Sequence, residues 1–335
     1  MNKIKFFIGL DVHKEMIAYA VRSFKGQILT YGECATRFED IYKALEPYLG
    51  SCKIGIESCT SYYHIYQGFK KNGCNIAVAN TIKIRQLIVK NDRLDAERLS
   101  DMLRLGTFPV SYVPDEKIQK LRTLVNLRHN FVEESVRFQN QIHSIISKHG
   151  FVINEITPFS IKWCEKLRFL MSENTGMFEL HYAFDHYLLL ENKVENLNAE
   201  MITICKKYWH EEFELLCSIP GIGNILSCYM IAEICPISRF SSEKKLRRYA
   251  GVIPCFQESG GHSYGSTLPK SSSRSLLRWS LVQGTHACVK GKNRIAQYFR
   301  KKKKTRNYQR AIMATSSSLC DIIFKVLSTK KPYVM

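Results

Sequence analysis

The sequence predicts an α/β domain followed by a mostly all-α remainder, and three observations carry that expectation. Roughly the first 110 residues alternate β-rich segments with amphipathic helical ones. Residues 115–214 repeat apolar positions at helical spacing, and the last third joins short helical stretches to a strongly basic surface.

In chain order, FFIGLDV (6–12), MIAYAVRSF (16–24) and QILTYGECA (27–35) are β-rich and separated by short polar links, with Lys25-Gly26 suited to a tight turn. They read as a three-strand meander. An amphipathic helix over 38–49, a strand CKIGIES over 52–58, a helix over 62–71 and a strand CNIAVAN over 74–80 follow, and helical segments fill 82–105. The order βββαβαβ, a meander and then parallel crossover strands, is the layout of a ribonuclease-H-like domain. We place this domain at residues 1–110.

Residues 111–214 form a helical region. Leu190, Val194, Leu197, Met201, Ile204 and Tyr208 recur at spacings of 4, 3, 4, 3 and 4, a heptad seam, and residues 118–146 carry a looser apolar stripe. Two such helices can pair as an antiparallel coiled coil or pack against a second subunit.

The third region, 215–335, begins at Ile219-Pro-Gly-Ile-Gly-Asn224. Glycines Gly221 and Gly223 between helical pieces resemble a helix-hairpin-helix loop whose N–H groups can meet a phosphate; a plain helix-helix turn would use the same residues. Beyond residue 241 the chain mixes Ser, Gly and basic residues. It then runs through Lys301, Lys302, Lys303 and Lys304 into a last helix over 310–327.

The charge is unevenly placed. Of 49 Lys+Arg and 30 Asp+Glu, residues 241–335 hold 20 and 3, leaving 29 and 27 for residues 1–240. The first two-thirds are nearly neutral, so the excess points to a specialised surface for a polyanion, and Lys270, Arg274, Arg278 and Lys301 to Lys304 are candidate phosphate contacts. The 12 cysteines are scattered with no C-x-x-C pair, which argues against structural zinc. The apolar N-terminal run is too short for a signal h-region and is cut by Asp11, so reduced thiols in the cytoplasm are expected. Residues 215–234 are the one membrane candidate, and Pro220, Gly221, Gly223 and Asn224 break them, so no membrane span is expected.

Four carboxylates stand out by their place in the expected fold. Asp11 ends the first strand, Glu57 ends the fourth, and Asp92 and Asp95, three apart, share one face of a helix. The first and fourth strands of such a sheet are neighbours, and converging acids repel unless a cation lies between them. Mg²⁺, singly or as a pair holding attacking and leaving oxygens of a phosphoryl transfer, suits such oxygen donors. Singly, each acid could instead be a strand-end, cap or first-turn charge. In Glu258-Ser-Gly-Gly-His-Ser-Tyr-Gly265, Ser259 precedes two glycines that let the backbone approach a bulky substrate, as a serine attacking a DNA phosphodiester would need, with His262, Lys270, Arg274 and Arg278 as support. A simple Gly-Ser loop is the alternative.

Taken together, GLDVHK with Asp11, IES with Glu57, KNDRLDAERL with Asp92 and Asp95, the IPGIG turn and YAGVIPCFQESGG with Ser259 resemble the DEDD-type transposases of the insertion sequence 110 family, which includes the Piv-like invertases. The similarity runs in order over about residues 6–290. It implies a RuvC-like N-terminal domain binding Mg²⁺ through Asp11, Glu57, Asp92 and Asp95, a coiled coil for assembly, and a C-terminal transposase domain whose Ser259 becomes joined to DNA. It further implies donor and target DNA, a bridge RNA encoded by the element, and a homo-oligomer, dimer or tetramer, whose active sites are completed between subunits. One departure is visible: Lys270 is followed by Ser271, Ser272 and Ser273 where the family has a second glycine.

Other classes fit less well. A sugar or acetate kinase also begins with a strand ending in Asp, yet needs a Gly-rich turn directly after it, and Asp11 is followed by Val-His-Lys-Glu. A decayed, non-catalytic nucleic-acid-binding protein and a nuclease using metal-activated water remain as alternatives.

Overall fold

The computed structural model describes residues 4–84, 92–154, 156–253, 255–259, 262–267 and 274–334. The chain divides into two compact units, residues 1–114 and 115–335, so the helical region expected over 111–214 and the basic region after it share one unit.

In the first unit, β1 (Phe6–Val12), β2 (Met16–Ser23) and β3 (Ile28–Ala35) form the antiparallel meander, and β4 (Cys52–Glu57) and β5 (Ile76–Ala79) add in parallel on the other side of β1. The sheet order is β3-β2-β1-β4-β5-β6, the last being a two-residue strand, Val110–Ser111, that the sequence does not announce. Central strand β1 is buried almost throughout and therefore reads as a nearly continuous apolar run, whereas edge strand β3 alternates exposed and half-buried positions.

The pleat divides β1 into two sets. Ile8, Leu10 and Val12 join Ile54 and Ile56 of β4 in a core closed by Ile41 and Leu45 of α1 (Phe38–Leu45) and Ile65 and Phe69 of α2 (Tyr62–Lys71). Phe7 belongs to the opposite face with Leu99 and Leu103 of α4 (Asp92–Leu105). Helix α1 stops short of its expected end, because Glu46-Pro47 opens a 3-10 turn over Glu46–Ser51; proline has no N–H to continue the ladder. Of the helix expected over 82–105, the structure describes α3 (Thr81–Ile84) and α4.

The second unit is built on α5 (Glu116–Lys148), which Asp115 caps by accepting from the Ile118 N–H at 2.8 Å, and on α6 (Ile161–Glu173) and α7 (Phe178–Tyr208). Helices α5 and α7 run antiparallel within one chain: Arg128 Nε donates to Asn198 Oδ1 at 2.5 Å and Ser135 Oγ to Glu191 Oε1 at 2.6 Å. Leu190, Val194, Leu197 and Met201 are buried as the seam requires, but the next buried position is Cys205; Ile204 is only half-buried and Tyr208 is exposed.

Helix α8 (His210–Cys217) turns through Pro220 into α9 (Asn224–Ile234), whose residues Ser227 to Ile234 are all buried, as suits a helix surrounded by others. After a 3-10 turn (Ile237–Arg239), α10 (Glu243–Ala250) leads to β7 (Cys255–Ser259) and β8 (His262–Thr267), then α11 (Ser275–Cys288), α12 (Arg294–Lys303) and α13 (Tyr308–Thr329). The mostly helical C-terminal region thus contains an antiparallel hairpin. Helix α13 has the length and apolarity of a membrane span, yet Ala311, Leu319, Ile323 and Leu327 lie fully in the protein core. No disulfide joins the described cysteines; burial pushes the Cys52 thiol up to about 12 and the Cys288 thiol up to about 11, as neutral packing groups.

Candidate active site

The register of β1 and β4 aligns two similar tetrapeptides. Ile8 pairs with Ile54, Gly9 with Gly55 and Leu10 with Ile56, so Ile-Gly-Leu-Asp and Ile-Gly-Ile-Glu run side by side and end in Asp11 and Glu57. Both acids lie two residues beyond their glycines and therefore on the same sheet face. That face carries α4. A Cβ on Gly9 would stand 2.0 Å from the Ala96 carbonyl oxygen and 2.7 Å from the Ser100 nitrogen, so the helix backbone lies directly on this strand. Gly55 faces the Phe108 and Leu103 side chains.

Asp95 immediately precedes Ala96, the residue seated over Gly9, so the fold brings Asp11, Glu57 and the first turn of α4 to one side of the sheet. Asp11 is 7% exposed, and its Oδ2 lies 3.1 Å from His13 Nε2. Asp95 is half-buried, with Oδ1 3.1 Å from Arg98 Nη1, and Glu57 is half-buried at the strand end. Asp92 opens the helix, and its side chain lies outside the described residues. Among the described residues no three His, Cys, Asp or Glu side chains are grouped closely enough to hold a metal ion. The donors are hard carboxylate oxygens on shared backbone supports, while the Asp95 carboxylate is engaged by Arg98.

His13 is a neighbour of the acidic set that sequence patterning alone does not single out. The D-x-H spacing is the available signal, since residues two apart on an extended chain face the same way.

Ser259 ends β7 and is the register partner of His262, the first residue of β8; Glu258 pairs with Ser263 and Phe256 with Ser266. Two adjacent glycines between strands are a hairpin signal in the sequence; Gly260 and Gly261 themselves lie outside the described residues. Lys270 and Ser271 to Ser273 lie outside the described residues.

The expected phosphate contacts separate into different environments. Gly221 has φ +84°, and a Cβ there would meet Cys288 N at 2.6 Å and Gly284 O at 2.7 Å, so its glycine is required by close packing on α11. Gly223 is exposed, has open space around it and caps α9. Arg274 is the N-cap of α11 and reaches the buried Glu233 carboxylate, Nε to Oε2 3.3 Å; Arg278 follows one turn later, half-buried. Lys301, Lys303 and Lys304 are exposed at the end of α12 and Lys302 is half-buried, its Nζ 5.2 Å from the Tyr298 ring centroid. Lys303 Nζ lies 5.9 Å from the Tyr308 ring, which stacks on His286. Interleaved lysines and exposed tyrosines suit nucleic acid.

Comparison with known proteins accords with this geometry. Residues 8–150 match a transposase family of the DEDD type of IS110, and residues 213–300 match the transposase IS116/IS110/IS902 family. A putative transposase of Sinorhizobium fredii is 27% identical over 265 residues, covering 76% of this chain and 64% of its own length, so the match spans just under two thirds of that protein. The transposase for insertion sequence element IS1111A of Coxiella burnetii is 21% identical, covering 99% and 92%. The transposase for insertion sequence element IS1328 of Yersinia enterocolitica is 22% identical, covering 81% and 80%. Two family matches in chain order, one over the carboxylate unit and one over the turn and hairpin, establish that the chain belongs to the IS110 family of DEDD transposases.

Proposed function

We propose that this chain catalyses the strand exchange by which an insertion sequence moves, with Ser259 as nucleophile and Asp11, Glu57, Asp92 and Asp95 as the acidic set. The observation that carries the acidic set is the in-register pairing of the two Ile-Gly tetrapeptides beneath α4, which brings the ends of two strands and the start of one helix to one face. Bound there, Mg²⁺ would supply electrostatic stabilisation of the phosphoryl oxygens as charge develops in phosphoryl transfer. For Asp95 to contribute a ligand, its carboxylate must exchange Arg98 for the cation.

Ser259 Oγ attacks a backbone phosphorus, forming a serine–phosphate ester and breaking the bond from phosphorus to the departing sugar oxygen. The serine proton goes to a base, for which His262, the register partner of Ser259, is the nearest candidate along the backbone. The departing oxygen takes that proton from the base and leaves as a hydroxyl end. When a hydroxyl end of the exchanging strand attacks the same phosphorus, its proton passes through the base to the Ser259 oxygen, Ser259 is released and the backbone is resealed without an external energy source.

The exposed lysines of α12 and the N-cap at Gly223 would grip donor and target DNA in the cytoplasm, a structured bridge RNA from the element would choose the target, and a dimer or tetramer would complete the sites. The test is to incubate the full chain with DNA and Mg²⁺, denature, and look for DNA that migrates with the polypeptide. Cleavage with no protein left on DNA, unchanged in Ser259→Ala, would instead indicate a nuclease using metal-activated water. Sequencing nucleic acid that co-purifies with the chain tests guidance: a discrete structured RNA is expected.

A further inference from the structure

The second unit holds a buried acid that the chemistry above does not use. Glu233, near the end of core helix α9, is 4% exposed. Its Oε2 accepts from the Tyr249 hydroxyl at 3.2 Å and lies 3.3 Å from Arg274 Nε and 3.8 Å from Arg122 Nη2. Arg122, itself buried on α5, also donates Nε to the Ala232 carbonyl at 2.8 Å. Arg239 donates to the Glu233 carbonyl oxygen and lays its guanidinium over the Tyr249 ring at 4.5 Å. A buried carboxylate survives only where such partners offset its desolvation, and here Tyr249, Arg274 and Arg122 supply them from three segments of the chain, while Arg239 holds the backbone carbonyl of the same residue.

Two of these partners stand at the ends of one excursion. Tyr249 is in the last turn of α10, where the chain leaves for the β7–β8 hairpin, and Arg274 caps α11, where it returns. Besides sharing Glu233, they are tied directly: the Arg274 N–H donates to the Tyr249 carbonyl at 3.1 Å, and Arg274 Nε donates to the Tyr249 hydroxyl at 3.0 Å. The stem of the excursion that carries Ser259 is therefore clamped to the core helix through one carboxylate.

We propose that Glu233 is a positioning residue for strand transfer, holding Tyr249 and Arg274 together so that the Ser259 hairpin is presented from a fixed stem. This deepens the serine reading and rests on it. Fixing a loop at its base limits the positions its tip can sample, and a displacement of about 1 Å at a reacting group can cost about 100-fold in rate. Arg274 then acts through Glu233 and Tyr249 rather than as one more phosphate contact.

Glu233→Gln leaves buried Arg122 without its counter-charge and can fail to fold, so the decisive variants are Arg274→Gln, Arg274→Lys and Tyr249→Phe in the full chain. For Arg274→Gln at saturating DNA, adduct formation is expected to slow about 10- to 100-fold. Half-saturation by DNA should move less than about threefold, a small share of the electrostatic binding term. Hydrogen exchange in residues 255–267 should rise while α13 is unchanged. Arg274→Lys should recover most of the rate, and adding Tyr249→Phe to Arg274→Gln should slow it no further, because both act on one stem. A wild-type rate with unchanged exchange in Arg274→Gln overturns the proposal, as does a loss found wholly in DNA half-saturation. The Ser259→Ala arm keeps the two readings apart: an adduct that persists there removes the serine assignment, while exchange in the hairpin still reports on the clamp.

Discussion

Gly9 of β1 and Gly55 of β4 are register partners on adjacent parallel strands, and the backbone of α4 lies against the first of them. The two glycines are not equivalent. At Gly9 the atoms nearest to an added methyl group belong to helix backbone, whereas at Gly55 they belong to the side chains of Phe108 and Leu103, which can turn aside. Gly9→Ala should therefore destabilise the chain by about 2–3 kcal/mol or more, and Gly55→Ala by less. Urea melts of both variants check this, and equal costs would count against α4 seating on β1.

Asp11→Asn should abolish DNA cleavage while leaving the fold in place. The amide keeps a polar group in the place of the buried carboxylate beside His13 but cannot serve as an anionic ligand. The melting midpoint is expected within about 4–8 °C of the wild-type value, the range of a change near 1 kcal/mol in a small domain. Retained cleavage in this variant would remove Asp11 from the acidic set.

On the proposed function, the four lysines at the end of α12 would meet phosphates without reading sequence. Changing Lys301 to Lys304 together to Gln should weaken binding to all duplexes alike. The log-log salt slope should flatten by about 0.9 for each phosphate that is no longer neutralised. An altered target choice with the slope unchanged would contradict this assignment.

Ser259→Ala should eliminate the covalent DNA adduct and leave DNA affinity within about twofold, since a hydroxyl contributes little to the electrostatic binding term. Ser263→Ala and Ser266→Ala should keep the adduct: these residues pair with Glu258 and Phe256, farther along the strands than the Ser259–His262 pair. A normal adduct from Ser259→Ala would shift the nucleophile elsewhere.

Much of the first unit is legible in the sequence because its information is local. The alternation of β1 and β4 places Asp11 and Glu57 on one face once the strands are adjacent, and strand order follows from a meander joined to parallel crossovers. The four-residue sequence Ser259-Gly-Gly-His262 likewise contains its own hairpin signal, although the helical character of the surrounding region conceals it.

Tertiary structure alone decided the rest, because the deciding contacts join residues far apart in the chain. The heptad seam of α7 predicts Ile204 and Tyr208 inside, but Cys205 takes the buried place, as a helix of 3.6 residues per turn drifts away from a 3.5-residue repeat. By its sequence Gly221 is free to meet a phosphate, yet α11 packs against it; by its sequence Arg274 is surface charge, yet Glu233, 41 positions earlier, is buried beside it. Sequence spacing determines which face a side chain takes; whether that face meets water, a helix backbone or a buried carboxylate is determined only when the elements pack.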